Sequence, residues 1–204
     1  AEENRVFLVG GSVPEKGDDG RLYNTSYVFD DMGRQVAKHR KVHLFDIDVE
    51  GQYFKESDTL APGNRATVFE APFGRVGVMI CYDLRFPELA RLLVKRGAVI
   101  FAVPAAFNMT TGPAHWELLF RCRALDNQVF ALGAAPARNT GAAYVSYANS
   151  IITDPWGRVV ARLGEDEGVL VEEIDLGEVE RIRSSLPLLK HVRSDVYELR
   201  ERHS

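Results

Sequence analysis

Val76-Gly77-Val78-Met79-Ile80-Cys81-Tyr82-Asp83-Leu84-Arg85-Phe86-Pro87-Glu88 runs from an apolar strand through a cysteine into the start of a helix. Val76–Cys81 is β-branched, apolar and bounded by turn residues, which predicts a buried strand. Pro87 through Gly97 has Pro in its first turn, an acid beside it, bases in its last turn and Gly just beyond. That order suits both ends of a helix dipole and predicts a helix. A thiol at such a junction faces helix N-terminal amides, which stabilise a thiolate and lower its pKa. The carboxyl end of a buried strand is also where α/β proteins place their ligands. Cys81 is therefore a candidate nucleophile; the plain alternative is a small buried hydrophobe.

Outward from this segment, short strand-like runs recur at Val6–Val9, Tyr27–Phe29, Thr67–Phe69, Ala98–Val103, Val129–Leu132, Ser150–Thr153 and Val169–Ile174. Asp30–Gly33, Ala71–Gly74 and Asp154–Gly157 place Asp or Pro early and Gly last, which predicts hairpins. A second helix is expected from Pro113 to about Asp126 and a short charged one from Leu176 to about Ser184. Buried strands alternating with covering helices imply an α/β layered domain. The stretch 179–204 mixes both charges with Leu186, Leu188, Leu189, Val192, Val196, Tyr197 and Leu199. It reads either as an extended tail that packs on a neighbouring subunit or as a peripheral helix.

The composition sets the outer bounds. A chain of 204 residues, 46% apolar and 26% charged, can bury a core without staples and is not disordered. With 25 Lys and Arg against 29 Asp and Glu, it lacks the basic footprint of a nucleic-acid binder. No apolar run approaches the ~18–20 residues that span a bilayer. Ala1–Arg5 lacks the layout of a signal peptide, so a cytoplasmic setting is expected, or a mitochondrial one if a targeting segment lies upstream. Cys81 and Cys122 do not form a CxxC spacing, and Cys122, between Arg121 and Arg123, reads as structural.

A cysteine nucleophile needs a proton partner and an oxyanion stabiliser. His115 offers a papain-like Cys/His pair. His39 and His43 flank a strand-like basic run rather than a helix, which argues against a metal site. Within Lys38-His39-Arg40-Lys41-Val42-His43-Leu44-Phe45-Asp46, the plain reading is a solvated loop. One lysine turned into an electropositive pocket would instead hold a developing oxyanion.

The basic run, Glu56–Gly63, the Cys81 segment, Phe107–Glu117, Arg123–Gln128, Asp154–Gly157 and Arg193–Tyr197 occur in one order along the chain. Together they resemble the nitrilase (carbon–nitrogen hydrolase) superfamily, whose signature is a Glu–Lys–Cys triad. Phe107-Asn108-Met109-Thr110-Thr111-Gly112-Pro113-Ala114-His115-Trp116-Glu117 looks most like its Nit2-like ω-amidase branch. The resemblance implies a four-layer α-β-β-α sandwich, one carbon–nitrogen hydrolase domain over 1–204, and association as a homodimer or higher homo-oligomer. It implies a small-molecule amide substrate and no metal or organic cofactor.

In that reading Cys81 attacks the amide carbon, while Lys41 and the backbone N–H of Tyr82 hold the oxyanion. Glu56 helps position the lysine and substrate. Arg85 grips the substrate's far carboxylate, and Phe107 and Thr111 line the pocket. The substrates implied are α-ketoglutaramate and α-ketosuccinamate, with deaminated glutathione as the closest competitor. A non-catalytic dimerisation or interaction module is the reading from another class.

Two departures stand out. Ala148-Asn149-Ser150 replaces the Gly-His-Ser of many relatives. The family's general-base glutamate comes from an early segment that Ala1–Arg5 already follows, so the expectation is an N-terminally incomplete fold that lacks this base. Glu2, Glu3 and Glu15 stand too late to replace it.

Overall fold

The structure, a computed structural model, describes residues 1–49 and 52–202. Four strands, β1 (Leu8–Val9), β2 (Val13–Lys16), β3 (Leu22–Phe29) and β4 (Gln35–Arg40), form an antiparallel sheet in which β3 pairs with all three others. A short ribbon follows, β5 (Asp46–Val49) with β6 (Gln52–Lys55). The second sheet contains β7 (Thr67–Ala71), β8 (Gly74–Val78), β9 (Ile100–Pro104), β10 (Phe130–Ala134), β11 (Ile151–Thr153) and β12 (Val159–Arg162). Its order is β12-β11-β10-β9-β8-β7, with β8, β9 and β10 parallel and the outer strands antiparallel. The helices are α1 (Pro87–Lys95), α2 (Thr111–Asn127) and α3 (Gly177–Ser185).

Each parallel connection carries a helix, as a crossover requires. Leu89 and Leu93 of α1 with Trp116 and Phe120 of α2 are buried against Met79, Phe101, Val103, Ala131 and Ile151 on one sheet face. Residues of opposite parity, Val76, Val78, Ile100 and Phe130, pack with Phe69 and with Val28 of the four-stranded sheet. The period-two alternation of each central strand therefore fills two separate cores. A buried side chain of this size contributes about 1.5–3 kcal/mol.

The described residues thus supply helical, six-stranded and four-stranded layers of the α-β-β-α architecture. At the lower end, Val179 of α3 enters the inter-sheet core, and Arg183 reaches the carbonyls of Ala98 and Asn127. Among the described residues no helix is long and apolar enough to cross a membrane.

All three expected hairpins form, at Asp30–Gly33, Ala71–Gly74 and Asp154–Gly157. Val169–Ile174 is a correction: it is not a strand, and Val169 and Val171 are 86% and 83% exposed. Its apolar alternation finds no sheet edge to pair with. The tail is likewise not a helix beyond α3. It folds back beside α1 of its own chain, where Lys95 donates to the Leu199 carbonyl and Glu201 accepts from the Ala66 N–H.

Candidate active site

A cavity of about 600 Å³ opens at the carboxyl ends of the three parallel strands. Ile80 and Cys81 beyond β8, Ala105 and Ala106 beyond β9, and Ala135 and Pro136 beyond β10 form one side. Lys41, Asn24, Phe45, Phe54, Glu56 and Tyr144 form much of the rest. Aromatic contacts bind this wall together, Phe45 against Phe54 at 5.6 Å and Phe54 against Tyr144 at 5.8 Å.

Cys81 opens a 3₁₀ turn, Cys81–Arg85, with φ of +48°. A left-handed non-glycine residue costs on the order of 1–3 kcal/mol and needs support from its surroundings. Here the Asp83 N–H donates to the Ile80 carbonyl and the Ile80 N–H donates to Asp83 Oδ2, both at 3.0 Å. The thiol lies 3.8 Å from the Ala106 carbonyl oxygen.

Its expected pKa depression is corrected. Burial pushes the thiol above its ordinary value, and the Lys41 ammonium only pulls part of the way back. The α-helix begins only at Pro87, so the 3₁₀ turn intervenes between the sulfur and the amides of α1.

Lys41 leaves the end of β4 with its side chain 1% exposed. Along the strand Lys38 and Arg40 point to the other face, where both pair with Glu15. The hydrogen bond from Arg40, with help from Lys38, holds that carboxyl far below the usual carboxylate range. The strand alternation thus sorts the basic run: Lys38 and Arg40 outward, His39 and Lys41 inward.

The Lys41 backbone donates to the Asn24 carbonyl at 2.8 Å and accepts from the Gly63 N–H at 2.7 Å. A Cβ at position 63 would stand 2.1 Å from the Arg40 carbonyl oxygen, so this close approach requires glycine. Lys41 Nζ donates to Glu56 Oε2 at 2.6 Å, and the same oxygen accepts the Phe45 N–H at 2.8 Å. Among the described residues Glu56 is the acid that lines the cavity.

The other expected residues lie differently. Tyr82 follows the nucleophile, and among the described residues its N–H has no hydrogen-bond partner. Arg85, Phe107 and Thr111 do not line the cavity. Phe107 is buried in the core, edge-on to Trp116 at 5.1 Å. Thr111 gives its N–H and hydroxyl to Asn108 Oδ1, each at 2.8 Å, at the start of α2. Arg85 lies over the Phe107 ring at 4.8 Å and donates to His115 Nδ1 at 3.1 Å. No carboxylate pairs with it among the described residues, and burial lowers its pKa. His115 is engaged there and does not line the cavity with Cys81.

His39 and His43 both donate to Asp83. Asp83 itself escaped the sequence reading, although a charged residue inside an apolar strand-to-turn segment was its visible signal. Asn24, Phe45, Phe54 and Tyr144 carried no signal, because strands and loops far apart in sequence bring them to the cavity. Ala148 and Asn149 are consecutive left-handed residues at φ +61° and +66°, and the Asn149 carbonyl accepts the Trp116 indole N–H at 2.7 Å.

A thiol, a buried ammonium and a free backbone N–H at a strand end can carry acyl transfer. The sequence model for the carbon–nitrogen hydrolase family matches residues 1–184. The chain belongs to the carbon–nitrogen hydrolase family. It is 52% identical over 203 residues to omega-amidase NIT2 of Xenopus tropicalis, covering 99% of this chain and 73% of that relative. The human omega-amidase NIT2 is 50% identical over 198 residues, 97% of this chain and 71% of its own length.

Among solved structures, Saccharomyces cerevisiae Nit3, a branch 10 member of the nitrilase superfamily, superposes with a TM-score of 0.87 at 44% identity. That match covers 95% of this chain and 68% of the yeast chain. The Caenorhabditis elegans NitFhit protein gives a TM-score of 0.91 at 37% identity, over 100% of this chain and 51% of its own. This carbon–nitrogen hydrolase falls in the Nit2-like branch and is an amide-hydrolysing enzyme.

Proposed function

We propose that this carbon–nitrogen hydrolase is an ω-amidase that cleaves the terminal amide of short dicarboxylate monoamides, α-ketoglutaramate and α-ketosuccinamate. The observation that carries the reading is the shared cavity of Cys81 and the almost fully buried Lys41, with the Arg85 guanidinium, which no carboxylate pairs among the described residues, four positions after the nucleophile. The names of the relatives at about 50% identity support the substrate class.

Cys81 Sγ forms a bond to the amide carbon while its proton passes to the departing nitrogen. The oxyanion is held by Lys41 Nζ and the Tyr82 N–H. Collapse breaks the C–N bond, ammonia leaves, and a thioester remains on Cys81. Water then adds to the thioester carbon, the C–S bond breaks, and the thiol is restored beside a dicarboxylic acid. Glu56 fixes the lysine through its 2.6 Å contact. Arg85 stands outside the cavity lining but close enough for its charge to act on the Cys81 thiol, and in this reading it turns in to bind the far carboxylate with two parallel hydrogen bonds. Phe107 supports the guanidinium from below, and Thr111 orders the neighbouring loop.

The cavity's acid is committed to Lys41 and Phe45, which leaves proton transfer without a dedicated carboxylate among the described residues. Association with a second copy belongs to the same proposal, supported by the exposed Val169, Val171, Val196 and Tyr197.

Ammonia release from α-ketoglutaramate, compared with glutamine and with deaminated glutathione, tests the function. Preference for the short keto amide supports it. Preference for deaminated glutathione, or no turnover of the short keto amide, overturns it.

A further inference from the structure

The geometry points to Asp83 as the positioning residue that holds Lys41 against Cys81. It does not line the cavity, and its side chain is completely buried. Its two oxygens accept four hydrogen bonds. Oδ1 takes the His43 backbone N–H at 2.9 Å and His43 Nδ1–H at 2.8 Å. Oδ2 takes His39 Nε2–H at 3.1 Å and the Ile80 N–H at 3.0 Å.

These partners are not scattered. His39 and His43 bracket Lys41 along the chain, and Ile80 immediately precedes Cys81. One carboxylate therefore fastens the His39 ring on one side of the lysine and the His43 backbone and ring on the other to the backbone beside the nucleophile.

Further contacts stiffen the clamp. His39 Nδ1 meets Thr67 Oγ1 at 3.0 Å, which ties it to β7. The His43 ring stacks on Phe86 at 3.6 Å, which ties it to the residue before α1. Asp83 also closes the turn that keeps Cys81 at its positive φ. Burial raises the Asp83 pKa, but the hydrogen bonds from His39 and His43 outweigh it and hold the carboxyl at about 2, so the acceptor stays ionised.

Buried polar networks of this kind are sensitive to a single lost acceptor. Asn fits the same space, yet it offers one carbonyl oxygen and turns an NH₂ toward donors. Small displacements at a reacting pair cost about a hundredfold in rate.

The inference rests on the proposed role of Lys41 beside Cys81, and the test separates the two. Alkylation of Cys81 by iodoacetamide at pH 7.5, about one unit below an ordinary thiol pKa, is followed by mass spectrometry of the Cys81 peptide. The proteins are the parent chain, Lys41→Gln, Asp83→Asn and the double variant, each checked for folding by circular dichroism. Lys41→Gln is expected to slow the reaction about tenfold, because an adjacent cation lowers a thiol pKa by about a unit or more. Asp83→Asn is expected to slow it similarly, and the double variant no further than about twofold beyond Lys41→Gln alone.

Multiplicative losses in the double variant, or a folded Asp83→Asn that reacts at the parent rate, overturn the assignment. A Lys41→Gln protein that reacts at the parent rate overturns the reading of Lys41 itself. Should Asp83→Asn fail to fold, His43→Phe keeps the stack on Phe86 and removes the ring's hydrogen bond. It is expected to show the same coupling to Lys41 at about threefold; an unchanged rate overturns the assignment.

Discussion

Lys41 Nζ and Glu56 Oε2 stand 2.6 Å apart, the lysine side chain 1% exposed and the glutamate 27%. The pair is asymmetric: the cation is nearly out of water while its counter-ion, which lines the cavity, stays partly exposed. Removing one partner of a buried pair costs about 3–5 kcal/mol, because the remaining charge is left uncompensated.

Glu56→Gln is therefore expected to destabilise the protein by about 3 kcal/mol, since Lys41 loses its carboxylate. Urea denaturation followed by tryptophan fluorescence measures this. A loss below about 1 kcal/mol would place the pair among weak surface contacts.

Lys41→Gln removes the charged donor aimed at the developing oxyanion. A kcat loss of about 10²–10³ is expected, with a much smaller effect on KM. His115→Ala is expected to lower kcat less than about threefold, because its contact is with Arg85 and not with the thiol. The reverse ranking in steady-state ammonia assays would favour a Cys/His pair.

Arg85→Met separates recognition from chemistry. For a dicarboxylate monoamide KM should rise about 10–100-fold, the worth of hydrogen bonds to a charged group. For a monoamide of equal length without the second carboxylate, KM should change little. Equal effects on both would assign Arg85 to the fold.

Acid stability follows from Asp83. Its pKa in the folded protein is depressed to about 2 from an ordinary 3.8, so its stabilisation is present above about pH 4 and is lost as pH falls toward 2. Glu15, depressed further by Arg40 and Lys38, loses its contribution over the same descent. Asp83→Asn should therefore flatten the dependence of thermal stability on pH between 4 and 2. An unchanged slope would show that other carboxylates control acid unfolding.

Much of this was legible in the sequence where local chemistry and tertiary packing agree. Val76–Cys81 and Pro87–Gly97 encode a buried strand and a capped amphipathic helix; α1 falls where expected, while β8 starts two residues earlier and ends at Val78, three residues before Cys81. The Cys81–Lys41 pairing came through motif resemblance, and the structure places both on one cavity.

Other features depend on distant partners. Lys38–Asp46 reads as a solvated basic loop until Glu15, on β2, takes up Lys38 and Arg40 on one face of β4. The ribbon Asp46–Val49 with Gln52–Lys55 carries charges that mask its alternation. Val169–Ile174 has strand composition but no edge to join. The thiol's environment was misjudged because desolvation depends on burial, which the strand-to-helix pattern alone does not report.

Amide cleavage by Cys81 passes through a covalent thioester on its sulfur. The most direct measurement is mass spectrometry of the acid-quenched protein after seconds of exposure to α-ketoglutaramate. The mass of the five-carbon keto-acid acyl group is expected on the Cys81 peptide, absent from the Cys122 peptide and absent in Cys81→Ala. Ammonia release with no acyl group on Cys81, or persisting in Cys81→Ala, would contradict it.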